Sequence, residues 1–460
     1  MRSVELKPTR DNLLKTLNDD LLGRNKDVWY FARLCDSQKS SCSIALDGRW
    51  GSGKTFFVRH TQLLIESCNL FIQTVSEEER DQISRCFKSY MKSGGDDCIF
   101  DPELCVYYDA WSNDNDEDPI LSIIYSIMQS TTYYKSFKKD VDCFSAAAAI
   151  VDMFVGRDSS AVVDLFKSAD PLSTLRDMKN IHSLVEDFLD SLLYEQGNRL
   201  IVFVDELDRC KPEYAVKLLE RIKHYFSNDR ITFVFSVNLE ELQHSIKNYY
   251  GEGIDASRYL DRFFDYRLTL PKVDLYKYYR YLGFEDSYWV YDEVGRSVID
   301  YCEFELRDIS KFLHMLKVSA YEITHKNSMN DGLRSSTNRF VLCIFVPIII
   351  GLRMYDIDAY NDFIEGKDDS PLIEIIGDGD IASGFCSSLL ERNETYSTAP
   401  NTGKTTVILS DKLHSVYKFL FDTNKQASQE SRIGDYLFDN QVREQLIRVS
   451  SLLSEYTDYN

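Results

Sequence analysis

Short apolar runs alternate along this chain with stretches whose apolar residues recur at helical spacing. Cys42-Ser-Ile-Ala-Leu-Asp47 is one such run, closed by Gly48, and predicts a buried strand. Helical spacing follows from Thr55 to Leu70, so strand, glycine-rich turn and helix succeed one another directly. Cys105-Val-Tyr-Tyr-Asp109 predicts a second strand, and Pro119 opens a helix, a position that proline favours. The clearest strand is Arg199-Leu-Ile-Val-Phe-Val-Asp205, apolar on both faces as in a covered parallel sheet. Ile231-Thr-Phe-Val-Phe-Ser-Val237 predicts another, with helices on either side of it. Strands alternating with helices indicate an α/β doubly wound parallel sheet.

From about Val273 the strands fade, and Ile309, Phe312, Leu313 and Leu316 mark a mainly helical C-terminal region. The expected organisation is an N-terminal segment over 1–19, an α/β domain over 20–272 and a helical region over 273–460. A helical insert occupies about 119–195, where Cys143 to Gly156 includes Asp152 and reads as a polar-interrupted helix rather than a membrane span. The longest apolar run, Phe340 to Leu352, falls short of the about 20 residues that a span needs. It predicts a buried core helix, bent or broken at Pro347.

The formal net charge of -21 supplies no basic patch along the sequence, so a nucleic-acid partner is unsupported. Eleven cysteines without a C-x-x-C pair read as reduced thiols of a cytoplasmic protein. Met1 to Asp20 is mixed and charged and reads without a signal peptide.

Gly48-Arg-Trp-Gly-Ser-Gly-Lys-Thr55 fits G-x-x-x-x-G-K-[ST]. Glycines let the backbone curl so that successive N–H groups point inward at phosphate oxygens, and the next helix adds its positive end. Gly48, Trp50, Gly51, Ser52, Gly53, Lys54, Thr55 and Phe56 form the expected nucleotide grip, for ATP. Lys54 reaches the β- and γ-phosphates, and the Thr55 hydroxyl ligates Mg²⁺. Asp205-Glu206 ends the strongest strand, either as a Walker B pair or as an acidic helix-start pair. In the first case Asp205 holds Mg²⁺ and Glu206 orients or deprotonates water. Asn238 after the next strand is either a γ-phosphate sensor or a helix N-cap. Gly403-Lys-Thr-Thr406 repeats only the end of a P-loop and reads as a polar loop.

These motifs together resemble the KAP P-loop NTPases. The similarity lies in Asp20-Leu-Leu-Gly-Arg24, the Trp50-bearing loop, Val106-Tyr-Tyr-Asp-Ala-Trp111, and Asp205-Glu-Leu-Asp-Arg-Cys-Lys-Pro212. It continues through Tyr259-Leu-Asp-Arg-Phe-Phe264 with Leu270-Pro271, and Leu306-Arg-Asp-Ile-Ser-Lys311. The resemblance implies an ATPase of the additional-strand, catalytic-glutamate class that forms homo-oligomers and acts in antiphage defence. It also makes Arg209, Arg262 and Arg307 arginine-finger candidates, with Asn238 where an Asp is usual.

Two function classes follow. One is an ATP-hydrolysing molecular switch or assembly ATPase, with Lys54, Glu206, Asn238, Arg262 and Arg307 as its catalytic set. The other is a nucleotide-gated interaction or scaffold protein with little turnover, whose C-terminal part engages a protein partner or effector.

Overall fold

The expected apolar runs, and one more that is largely polar, pair edge to edge into a single sheet. In this computed structural model, residues 6–72, 75–92, 100–132, 172–193, 197–226, 228–284, 290–325, 332–377, 383–392, 394–396, 405–421 and 430–451 are described. They fall into two units, Lys7–Tyr278 and the residues from Tyr279 onward, which also take in Leu6.

In the first unit, β1 (Cys42–Asp47), β2 (Glu103–Asp109), β3 (Arg199–Asp205), β4 (Ile231–Val237) and β5 (Tyr266–Thr269) form a sheet of order β2-β3-β4-β1-β5. Every neighbouring pair is parallel. β4 separates the P-loop strand β1 from β3, which is the additional-strand arrangement. β5 escapes a reading by apolar runs because it lies at an edge with its side chains largely exposed.

Side chains alternate across the strands, so the sheet carries a core on each face. Ile44, Leu46, Cys105, Ile201, Phe203 and Val234 pack against α1 (Arg10–Asn18), α2 (Asn25–Asp36), α3 (Lys54–Cys68) and α4 (Glu77–Lys92). Leu104, Val106, Tyr108, Val202, Val204 and Phe235 pack against the opposite layer. That layer holds α5 (Pro119–Thr132), α6 (Leu172–Leu193), α7 (Pro212–Tyr225) and α8 (Leu239–Tyr250), with α9 (Ala256–Leu260) after it. Within the expected insert, α5 and α6 are helices, whereas Cys143 to Gly156 lies outside the described residues.

The register decides where charge collects. Asp47 aligns with Val237, Asp205 with Ser236, and Asp109 with Asp205. Three carboxylates therefore gather at the C-terminal edge of the sheet, where the P-loop also starts.

α10 (Leu275–Leu282) runs across the division between units. The second unit is mainly helical, with α11 (Val290–Tyr301), α12 (Leu306–His325), α13 (Gly332–Tyr355) and α14 (Ile357–Ile364). α15 (Ser370–Ile376), α16 (Ser383–Ser387), α17 (Leu409–Phe421) and α18 (Asn440–Ser451) complete it. Two short strand pairs add to the helices: Glu394–Tyr396 with Thr405–Val407, and Ser431–Ile433 with Tyr436–Phe438. Thr405 and Thr406 thus belong to a strand rather than the polar loop expected for them, while Gly403 lies outside the described residues.

α13 packs against α11, α12, α14 and α18, and Pro347 sits inside it without ending it, so the expected break does not occur. Ser336–Tyr355 is the one described helix long and apolar enough to cross a membrane, and 78% of its apolar stretch is buried.

Candidate nucleotide-binding site

The loop after β1 begins with Gly48, whose N–H donates to Val237 O at 3.1 Å on β4. A Cβ at Gly48 would press on Ser52 Oγ at 3.0 Å and Leu270 Cβ at 3.2 Å, so glycine suits this close turn. Gly51 and Gly53 take φ of 83° and 90°, conformations that other residues rarely adopt. Among the described residues, no carbonyl accepts the N–H groups of Gly51, Gly53, Lys54, Thr55 or Phe56. The first helical bond into α3 is Phe57 N–H to Gly53 O, at 3.1 Å. A row of free amides at the positive end of a fifteen-residue helix is an anion cradle.

Lys54 is buried, and its Nζ donates to Gly48 O at 2.5 Å and Arg49 O at 3.2 Å. Burial lowers its pKa, while Asp208, Asp205 and Glu206 pull it back up. The segment before β1 braces the loop from behind, since Arg24 Nη1 donates to Ser52 O at 2.9 Å.

Asp205 is 1% exposed at the end of β3. Its Oδ2 accepts hydrogen bonds from Thr55 Oγ1 at 2.7 Å and from Tyr107 Oη at 2.9 Å. The Glu206 N–H donates to Oδ1 at 3.1 Å. Thr55 and Asp205 thus meet as a pair of hard oxygen donors beside the anion cradle, a set that suits Mg²⁺. Tyr107 is a site residue that motif reading missed. Strand alternation on β2 could have found it, because Cys105 and Tyr107 share the α3 face.

Glu206 takes a left-handed conformation, φ 61°, which turns the chain sharply after β3. Burial, then the neighbouring Asp205, pushes its carboxyl up to about 7 even though Arg209 pulls the other way. Arg209 Nε lies 2.5 Å from Glu206 Oε2. The same guanidinium lies over the rings of Trp50 at 5.9 Å and Trp111 at 5.6 Å. In this state Arg209 holds the candidate base.

Trp50, 43% exposed, donates its indole N–H to Asp208 Oδ2 at 2.5 Å. The loop tryptophan and the second aspartate after β3 are therefore one contact. Burial raises the pKa of Asp208, opposed first by Lys54 and then by the Trp50 indole.

Asn238 caps α8, its side-chain oxygen accepting the N–H groups of Glu240 at 3.2 Å and Glu241 at 3.4 Å. It follows β4, so it stands at the same sheet edge as Asp205. Phe56 lies in the first turn of α3, its ring against His60 at 6.0 Å. Arg262 is exposed in the turn between α9 and β5, and β5 begins opposite Ile44 rather than at the P-loop end of β1. Arg307 lies in the first turn of α12 in the second unit, not in the unit that holds the P-loop.

The KAP family P-loop domain matches residues 30–297. The chain belongs to the KAP P-loop family. Its KAP domain thus contains the P-loop, β3 with Asp205-Glu206, and Arg262. The ORC2 protein of Aeropyrum pernix, solved as ADPNP–ADP complexes, is similar at 12% identity. That match covers 94% of this chain and 95% of the other at a TM-score of 0.28, too loose to place residues. No curated protein matches the sequence.

Proposed function

We propose that this KAP chain binds ATP with Mg²⁺ and hydrolyses it, as a molecular switch or assembly ATPase. The observation that carries this reading is the set of acceptor-free amides of Gly51, Gly53, Lys54, Thr55 and Phe56, next to the buried Lys54 side chain. On nucleotide binding, Lys54 exchanges loop carbonyls for phosphate oxygens. Thr55 and Asp205 would hold Mg²⁺, which would supply charge neutralisation at the phosphates. Glu206, with a pKa near neutrality, takes a proton from the attacking water once Arg209 releases it. Asn238 follows β4 at the same sheet edge as Asp205, which supports a role for its amide in orienting that water.

Arg262 is exposed, which supports a finger role toward a neighbouring copy in a homo-oligomer; Arg307 is the alternative. The free thiols of the nine described cysteines fit a cytoplasmic setting. Antiphage defence is the biological role we assign from family membership, tested by plaque counts with wild type against Lys54→Ala.

One observation favours the second reading, a nucleotide-gated interaction protein. The Arg209–Glu206 pair withholds the base. Phosphate release measured beside ATP binding, for wild type and Glu206→Gln, separates the two. Hydrolysis predicts release by wild type and a loss of roughly 100-fold or more in Glu206→Gln with binding kept. Binding by both proteins without release establishes the second reading.

A further inference from the structure

At the opposite edge of the sheet, where β2 begins, three carboxylates converge from two separate segments. Asp36 is the last residue of α2, and Asp101 and Glu103 lead into β2. One oxygen from each lies within 4.8 Å of the others. Backbone hydrogen bonding fixes the cluster, since Asp36 Oδ1 accepts the Asp101 N–H at 2.9 Å.

Glu103 is 2% exposed, and its Oε2 is buried without a hydrogen-bond partner. An ionised oxygen in that position is costly unless a cation meets it. The charge of Arg199 acts on Glu103, but the guanidinium hydrogen bonds of the nearby arginines go to other acceptors. Arg33 Nη1 pairs with Asp36 Oδ2 at 3.1 Å. Arg199 donates to Ser40 O, Gln38 O, Ile231 O and Thr232 Oγ1. The C-terminus of α2 adds its own partial negative charge.

We infer that Asp36, Asp101 and Glu103 form a second cation site, for a hard divalent ion of the Ca²⁺ or Mg²⁺ type. All-carboxylate donors select such ions over thiophilic ones. The ion ties the end of α2 to the start of β2. It is independent of the nucleotide, because the length of β2 separates the two sheet edges by about 20 Å.

The test uses the full chain carrying Asp205→Asn, which removes a donor of the nucleotide-site metal. Tb³⁺ is the probe, with Trp29 as antenna seven residues before Asp36 on α2. Saturable Tb³⁺ emission is expected, displaced by millimolar Ca²⁺ or Mg²⁺, and the more effective competitor identifies the ion. Adding Glu103→Gln or Asp101→Asn should weaken Tb³⁺ binding at least tenfold. Asp101 is exposed, so its variant keeps the test sound if Glu103→Gln fails to fold. Absent emission, emission unmoved by Asp101→Asn, or emission that neither ion displaces overturns the proposal.

Discussion

Replacing Trp50 by Phe keeps most of a half-exposed ring and deletes one hydrogen bond, so it isolates the contact between the P-loop and Asp208. The indole N–H reaches Asp208 Oδ2 at 2.5 Å, and Asp208 is only 6% exposed. Its Oδ1 is already buried without a hydrogen-bond partner, so water cannot readily replace the lost donor. A hydrogen bond to a charged group contributes about 1.5–3 kcal/mol, and roughly 2 kcal/mol corresponds to about a 30-fold change in an equilibrium constant. The assay is a double-mutant cycle of Trp50→Phe and Asp208→Asn on urea unfolding of the full chain. The two changes should couple by about 1.5 kcal/mol or more at neutral pH. Coupling should shrink on acidification, because protonating Asp208 removes the charge that the indole satisfies, and burial already raises that pKa. Additivity to within about 0.5 kcal/mol would refute the claim that this contact joins loop and β3.

Turnover should follow the ionisation of Glu206. Its carboxyl is pushed up to about 7, so the base is lost as pH falls through that value and kcat drops about tenfold per further unit. Arg209→Ala removes the charge that lowers this pKa, and the midpoint of the kcat profile should move upward; an unchanged midpoint would show that Arg209 does not act on Glu206. ATP binding measured by fluorescence should collapse in excess chelator, as the proposed Mg²⁺ ligation by Thr55 and Asp205 requires. Arg262→Ala and Arg307→Ala should lower steady-state hydrolysis while ATP affinity survives, and wild-type rates in both variants would discard the finger assignment. In the second unit, a Cβ at Gly351 would collide with Val298 Cγ1 where α13 crosses α11, so Gly351→Ala should destabilise that unit by about 1–3 kcal/mol in thermal unfolding.

Much of the site was legible along the chain because its parts are local. The P-loop needs glycines at φ 83° and 90° followed at once by a helix, and Gly51, Gly53 and Lys54 are contiguous. β3 announced itself by an unbroken apolar run, since both of its faces are covered. β5 did not, because an exposed edge strand carries no such run. Pro347 misled for a related reason. Packing on α11, α12, α14 and α18 holds α13 continuous where local propensity argues for a break.

The amino-acid order alone thus determined the P-loop, the carboxylate pair after the strongest strand, and an α/β domain followed by helices. Only the tertiary structure decided which distant groups meet. Tyr107 reaches Asp205 across 98 residues, Trp50 reaches Asp208 across 158, and Asp101 reaches Asp36 across 65. Periodicity tells which face a side chain takes, but strand order and register set its neighbours. In this chain, β4 inserted between β1 and β3 fixes both.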